Sequence, residues 1–324
     1  MPLQNESPTN SLSAPAPSIP QSRPVSRAPS TSLSRFFPPP GLDNLGSTCY
    51  ANSILHCLFF LPELWKSVQV SLSDTPMLKE LRAILMVLNS SRCAVKPRKF
   101  LQVLQAHIVS FQTTLPKRKQ FSHNRQQDAF EVLGYITAEM QRVYKRPDLL
   151  SIGVSRLATC LTCLHKQNVQ AEASEFLTIP FASSIKNSIQ KYLGEQVKRG
   201  CWNCGTNREC AVVTIFTDLP KILISRVDRC SFDKETKVHT KASTQINCNQ
   251  EISLPLGNEG PTTAYKISSV IHHVGNSSGG HYTTTLFDPD PTTGRMWHCD
   301  DNKVKPTGSI DQTSASILIY RKVE

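Results

Sequence analysis

No stretch of the 324 residues reaches the roughly 18 consecutive apolar residues needed to cross a bilayer. The N-terminus has no continuous apolar block of the kind that directs secretion. Neither an internal repeat nor a helix-turn-helix or finger-repeat pattern is present. The chain is basic, with 36 Lys+Arg against 25 Asp+Glu and a net charge of +11, but the basic residues are dispersed. Their densest run, Lys117-Arg118-Lys119, lies in an apparent loop near Arg125 without interleaved aromatics. The charge is therefore read as solvated surface, and nucleic acid is not expected as a partner. A membrane is not expected either. These absences imply an intracellular protein of the cytoplasm or nucleus, where disulfides do not persist. The 11 cysteines, an odd number, then stand for metal binding, catalysis or packing.

The first 40 residues hold 10 of the 22 prolines and nine serines. Such a segment buries too little apolar surface to offset chain entropy, so residues 1–35 are expected to be a disordered Ser/Pro-rich leader. From Gly41 the texture changes. Apolar residues at helical spacing predict helices over Cys49–Leu61, Met77–Leu88, Phe100–Ile108 and Ala129–Val143. Beyond about residue 150, short runs bounded by Gly, Pro and Asn read as strands: 211–216, 221–227, 265–274, 281–287 and 316–322. Helices first and strands afterwards predict an α+β architecture.

The segment Gly41-Leu-Asp-Asn44-Leu-Gly46-Ser47-Thr48-Cys49-Tyr50 places a cysteine where a turn enters a helix. Backbone N–H groups at a helix start favour a thiolate. Taken alone, Cys49 reads either as a nucleophile or as a buried structural cysteine. A thiol nucleophile needs an imidazole base and a group that orients it. His281 follows a glycine-rich stretch, 275–280, at the start of an apparent strand, and Asp300-Asp301 close another. Two adjacent antiparallel strands would bring Asp300 beside His281. Successive strand residues face opposite ways, so Asp300 and Asp301 cannot both hold the ring alike. A polar hairpin with a solvated acidic turn is the alternative. Farther back, Asp128 opens the fourth helix, where an acid suits the first turn.

Cys160-Leu-Thr-Cys163 and Cys201-Trp-Asn-Cys204 form two CxxC knuckles separated by 37 residues. Four thiolates complete a closed tetrahedral zinc site, which holds a fold and leaves no open position for catalysis.

Together these segments resemble the ubiquitin-specific proteases. GLDNLGSTCYANSILHCL is similar to that family's cysteine box and GGHYTTTLFDPDPTTGRMWHCDDNKV to its histidine box. Gln126-Gln127-Asp128-Ala129-Phe130-Glu131 resembles its QQDA segment, and the three occur in the expected order from Gly41 to the C-terminus. The resemblance implies a papain-like catalytic domain over residues 36–324, with a helical thumb (41–150) and a β-rich palm and zinc-bearing β fingers (151–324). It implies a monomeric thiol protease that cuts after the C-terminal glycine of ubiquitin, with ubiquitin and ubiquitinated proteins as partners. Cys49 is then the nucleophile, His281 the base and Asp300 its orienter. Asn44 matches the oxyanion position and Asp301 an assisting acid. Gln126, Gln127, Asp128 and Tyr282 are expected to bind the ubiquitin tail, and the 275–280 loop to close over it. A protease for a ubiquitin-like modifier and a non-catalytic ubiquitin-binding scaffold are the alternatives. The sequence departs from the family pattern at Ser47 (commonly Asn), His56 (Gln), Gly279 (Ser) and Cys230 (Phe).

Overall fold

Tyr50, Ile54 and Leu58, spaced for one helical face, lie on helix α1 (Cys49–Phe59), but all eleven of its residues are buried. A helix covered on every side is a central element, not a surface one. The helix stops at Phe59, two residues short of the expected end at Leu61, and Pro62, which lacks a backbone N–H and suits a first helical turn, opens α2 (Pro62–Val70). Helices α3 (Pro76–Ser90), α4 (Arg98–Phe111) and α5 (Ala129–Tyr144) follow the expected periodicity, and α6 (Pro147–Leu150) is a single turn. The computed structural model describes residues 38–323 apart from 71–74, 233–234, 236–238, 259, 277–278 and 291, so the expected leader lies outside the described residues.

The strands come next: β1 (Ile152–Cys160), β2 (Lys166–Ser174) and β3 (Leu177–Pro180), then, after helix α7 (Ile185–Leu193), β4 (Gly194–Gly200), β5 (Asn207–Asp218) and β6 (Ile222–Asp228). Short β7 (Cys230–Phe232) and β8 (His239–Lys241) pair with each other. Strands β9 (Glu251–Pro255), β10 (Thr262–Asn276), β11 (Gly279–Phe287), β12 (Met296–Asp300), β13 (Lys303–Pro306) and β14 (Ala315–Lys322) complete the chain. One sheet has the order β13-β12-β11-β10-β14-β6-β3, with β9 also on β10; a second has the order β2-β1-β5-β4.

Period-two alternation explains why the larger sheet carries a core on each face. Ile222, Ile224, Ile271, Ile317 and Ile319 pack against the helices around α1. Their neighbours Leu223, Val270, Leu318 and Tyr320 point the other way, toward α7 and the base of the four-stranded sheet. Helix α1 lies against β10, β11 and β12, and Thr284 Oγ1 donates to the Ser53 carbonyl across 3.3 Å. This packing fixes the start of α1 beside the ends of β11 and β12.

Candidate active site

Thr284 pairs with Cys299 in the β11–β12 ladder. That register sets Asp300 one step further along, on the face that His281 shares, a diagonal neighbour within reach of a long side chain. His281 Nε2 and Asp300 Oδ1 stand 2.6 Å apart. A carboxylate there holds the proton on Nε2 and leaves the Nδ1 lone pair free.

Asp301 goes the other way. It leaves β12 at φ 52°, in the left-handed region, and its carboxylate turns toward the segment that precedes α1. Oδ2 accepts from Asn44 Nδ2 at 2.9 Å and Oδ1 from Asn52 Nδ2 at 2.8 Å. Asn52 Nδ2 also faces the carbonyls of Leu42 and Asp43, at 3.2 and 3.3 Å, so three oxygens fix the orientation of this amide. The chain is equally close here. A Cβ on Gly41 would lie 2.4 Å from the Asn302 carbonyl oxygen, so only glycine fits. Asn44 Oδ1 accepts from the Thr48 N–H at 3.1 Å. One N–H of its side-chain amide is therefore spent on Asp301 and the other is available. Asn52 was not singled out from the sequence; its signal was its place one turn after Cys49.

Cys49 is the first residue of α1 and only 4% exposed. Burial pushes its thiol above the ordinary range, and the Asp301 charge adds to this; the N–H groups of Tyr282 and Tyr50 pull the other way. The expected helix-start effect is present but loses to desolvation. The thiol therefore needs a base to ionise near neutral pH, and His281 immediately precedes the Tyr282 whose N–H faces the sulfur. A thiol together with an imidazole oriented by a carboxylate is the constellation for acyl transfer through sulfur.

The thiol opens on a groove of about 350 Å³ lined by Gln126, Gln127, Asp128 and Tyr282, all four singled out from the sequence. Asp128 caps α5, its Oδ1 accepting from the Phe130 N–H at 2.7 Å. Gln127 Nε2 donates to the Ser122 carbonyl at 2.8 Å. Gln126 crosses the groove and accepts from the Gly280 N–H at 2.8 Å. A Cβ on Gly279 would lie 2.1 Å from the same Gln126 oxygen, so a larger residue there requires this side chain to move. Tyr282 stacks on His273 at 4.5 Å. The flanks of the 275–280 stretch are paired in strands, Gly275 with Gly280 and Asn276 with Gly279, and its two central residues lie outside the described set. Other groove residues had no sequence signal, Lys241 and Arg226 among them. Lys241 Nζ donates to the His273 carbonyl at 2.8 Å, tying β8 to β10, and Arg226 covers the Phe130 ring at 4.6 Å.

The four knuckle cysteines meet at the far end of the four-stranded sheet, their sulfurs all within 4.8 Å of one another. The knuckles are built alike. The fifth residue of each takes a left-handed φ, 60° at Leu164 and 68° at Gly205. Its N–H donates to the carbonyl of the first cysteine at 2.9 Å in both. The cluster offers four thiolate donors to a metal ion. Of the remaining cysteines, Cys57, Cys210, Cys248 and Cys299 are buried as expected of packing residues, whereas Cys93 and Cys230 are exposed and do not pack.

The family described as ubiquitin carboxyl-terminal hydrolase matches residues 40–320. Ubiquitin carboxyl-terminal hydrolase 26 of Arabidopsis thaliana is 26% identical over 306 residues, covering 86% of this chain and 27% of that protein. Ubiquitin carboxyl-terminal hydrolase 2 of Rattus norvegicus is 26% identical over 344 residues, covering 86% and 53%. The chain thus spans about a quarter to a half of the length of these relatives. Among solved structures, a chain of the SAGA Ubp8/Sgf11/Sus1/Sgf73 DUB module bound to ubiquitin aldehyde superposes with a TM-score of 0.70 at 16% identity, covering 90% of this chain and 73% of that one. The fold is the α+β papain-like one, with a helical thumb, a β-rich palm and β fingers that end in the cysteine cluster. The chain belongs to the ubiquitin carboxyl-terminal hydrolase family.

Proposed function

We propose that the chain is a thiol-dependent deubiquitinase that hydrolyses the isopeptide or peptide bond after the C-terminal glycine of ubiquitin. The observation that carries this reading is the 2.6 Å contact between His281 Nε2 and Asp300 Oδ1, with His281 one residue before the Tyr282 whose N–H faces the buried Cys49 thiol. His281 Nδ1 takes the Cys49 proton, and the thiolate attacks the glycine carbonyl carbon. The free N–H of Asn44 and the amides at the start of α1 meet the oxyanion. Collapse breaks the C–N bond, His281 protonates the departing amine, and water hydrolyses the thioester. Asp300 keeps the imidazole tautomer, and Asp301 holds Asn44. Gln126, Gln127, Asp128 and Tyr282 line the channel for the extended tail.

The catalytic domain is read as residues 36–324, with the thumb over 41–150, the palm and fingers over 151–324, and residues 1–35 as a leader. Zinc is proposed at the cysteine cluster. Four sulfurs about 2.3 Å from one zinc stand roughly 3.8 Å apart, and Cys163 and Cys201 sulfurs lie at 3.6 Å. A bound zinc there would cross-link the two knuckles and takes no part in hydrolysis. The chain is read as acting as a monomer. All eleven cysteines are free, which supports a reducing compartment, cytoplasm or nucleus. Among the described residues, no helix is long and apolar enough to cross a membrane.

Hydrolysis of a fluorogenic ubiquitin C-terminal amide tests the reading. The wild type should cleave it, Cys49→Ala should not, and Asp300→Asn should lose about 10²–10⁴ in kcat/KM. Cleavage of a ubiquitin-like conjugate alone would shift the substrate, and no cleavage of either would leave a binding scaffold.

A further inference from the structure

Cys210 is the fifth cysteine of the fingers and belongs to neither knuckle. It lies on β5 directly opposite Cys160 on β1, is 1% exposed, and packs against Cys160 and Cys201. The neighbouring pair is joined by a bond from the Leu161 N–H to the Glu209 carbonyl at 2.9 Å. Cys160 and Cys210 therefore occupy a position without ladder hydrogen bonds, where facing Cα atoms stand about 4.5 Å apart. A disulfide spans about 4.4–6.8 Å between Cα atoms. Cys160 thus has two partners within reach, the metal shared with Cys163, Cys201 and Cys204, and the Cys210 sulfur. It cannot serve both, since a disulfide sulfur is no longer a thiolate ligand.

We infer that Cys210 is a resolving thiol that forms a reversible disulfide with Cys160 and releases the metal when the fingers meet a peroxide. This rests on the zinc reading given above. The Cys160 thiolate attacks one peroxide oxygen, the O–O bond breaks, and hydroxide leaves, giving Cys160 sulfenic acid. The Cys210 thiol then attacks that sulfur, the S–O bond breaks, and water leaves. Two electrons pass from the two sulfurs to the peroxide, and the metal, left with three of its four thiolates, dissociates. Cys163 and Cys204, both half-exposed, mark the side from which a small oxidant enters. Without a thiol opposite Cys160, the sulfenic acid has only irreversible oxidation or its own co-ligands to turn to. Cys210 makes the loss recoverable by a thiol reductant.

The experiment uses the full chain as purified, with zinc content measured before and after hydrogen peroxide and again after dithiothreitol and added zinc. Disulfides are mapped by peptide mass spectrometry without reduction. The wild type should start near one zinc per chain, lose it to peroxide, yield a peptide linked through Cys160 and Cys210, and regain zinc on reduction. Cys210→Ser and Cys210→Ala, two variants so that one misfolded protein does not decide the matter, should hold zinc before treatment and fail to regain it afterwards. Sulfinic acid should accumulate at Cys160 in both. Linkage of Cys163 to Cys201 alone, or full zinc recovery in both variants, would overturn the inference. Absence of zinc from the untreated wild type would instead refute the metal reading, and the peptide map then decides the disulfide separately.

Discussion

Asn44 and Asp301, 257 residues apart, are joined by a 2.9 Å hydrogen bond from the amide of one to the carboxylate of the other. The same carboxylate holds Asn52, one turn beyond Cys49. Two adjacent acids thus divide the site. Asp300 orients the imidazole, while Asp301 fastens the segment before α1 to the β12–β13 turn and places a negative charge near the thiol.

That charge has a sign that can be tested. Burial and then Asp301 raise the Cys49 thiol above its ordinary range, so the thiol stays protonated at neutral pH. In His281→Ala, where no imidazole takes the proton, the rate of Cys49 alkylation should rise with pH only above the ordinary thiol range. Asp301→Asn keeps an oxygen for hydrogen bonding but removes the charge, so the rising limb should move to lower pH. A limb that stays in place or moves upward contradicts the assignment.

His56 explains a departure from the family pattern. Its Nε2 lies 3.1 Å from the Pro40 carbonyl and anchors the incoming chain, a donor role that a glutamine amide also fills. Burial lowers the His56 pKa to about 4, and His272 falls to about 4 for the same reason. In the unfolded chain each takes a proton near pH 6.5, so their contribution is complete above that value and is lost as pH falls toward 4. His56→Gln should reduce the pH dependence of unfolding free energy in this window by about 1.4 kcal/mol per pH unit. Urea unfolding at several pH values measures it, and an unchanged slope would mean that the ring is already charged in the fold.

Removing the zinc proposed at the cysteine cluster should act locally. Cys163→Ser, or chelation of the wild type, should abolish zinc binding and speed amide exchange in β1, β2, β4 and β5. The larger sheet, whose two faces carry the main cores, should keep its protection. Equal loosening of both sheets would show that the knuckles support the whole domain.

Much of this arrangement was legible from local pattern. Helices α3, α4 and α5 follow their apolar spacing, and the CxxC pairs converge as their chemistry requires. The opposite orientation of Asp300 and Asp301 follows from strand alternation together with the left-handed turn at Asp301. Helix α7 escaped because it is only nine residues long and buries just Ile185, Ser188 and Ile189. Helix α1 looked amphipathic because burial on its remaining sides comes from distant strands. The Asn52–Asp301 bond and the Lys241 tie join residues that are far apart in the chain and leave no periodic trace. The rise in the Cys49 pKa was illegible for the same reason, since it depends on how tightly other elements cover the helix start.

The central claim is that Cys49 is the nucleophile toward the C-terminus of ubiquitin. Ubiquitin carrying a thiol-reactive electrophile in place of its last carboxyl group tests it most directly, with the adduct weighed and its site mapped by mass spectrometry. The expected result is one ubiquitin per chain, attached at Cys49 and absent from Cys49→Ala. No adduct from folded wild type, or attachment at exposed Cys230 or Cys93, would contradict it.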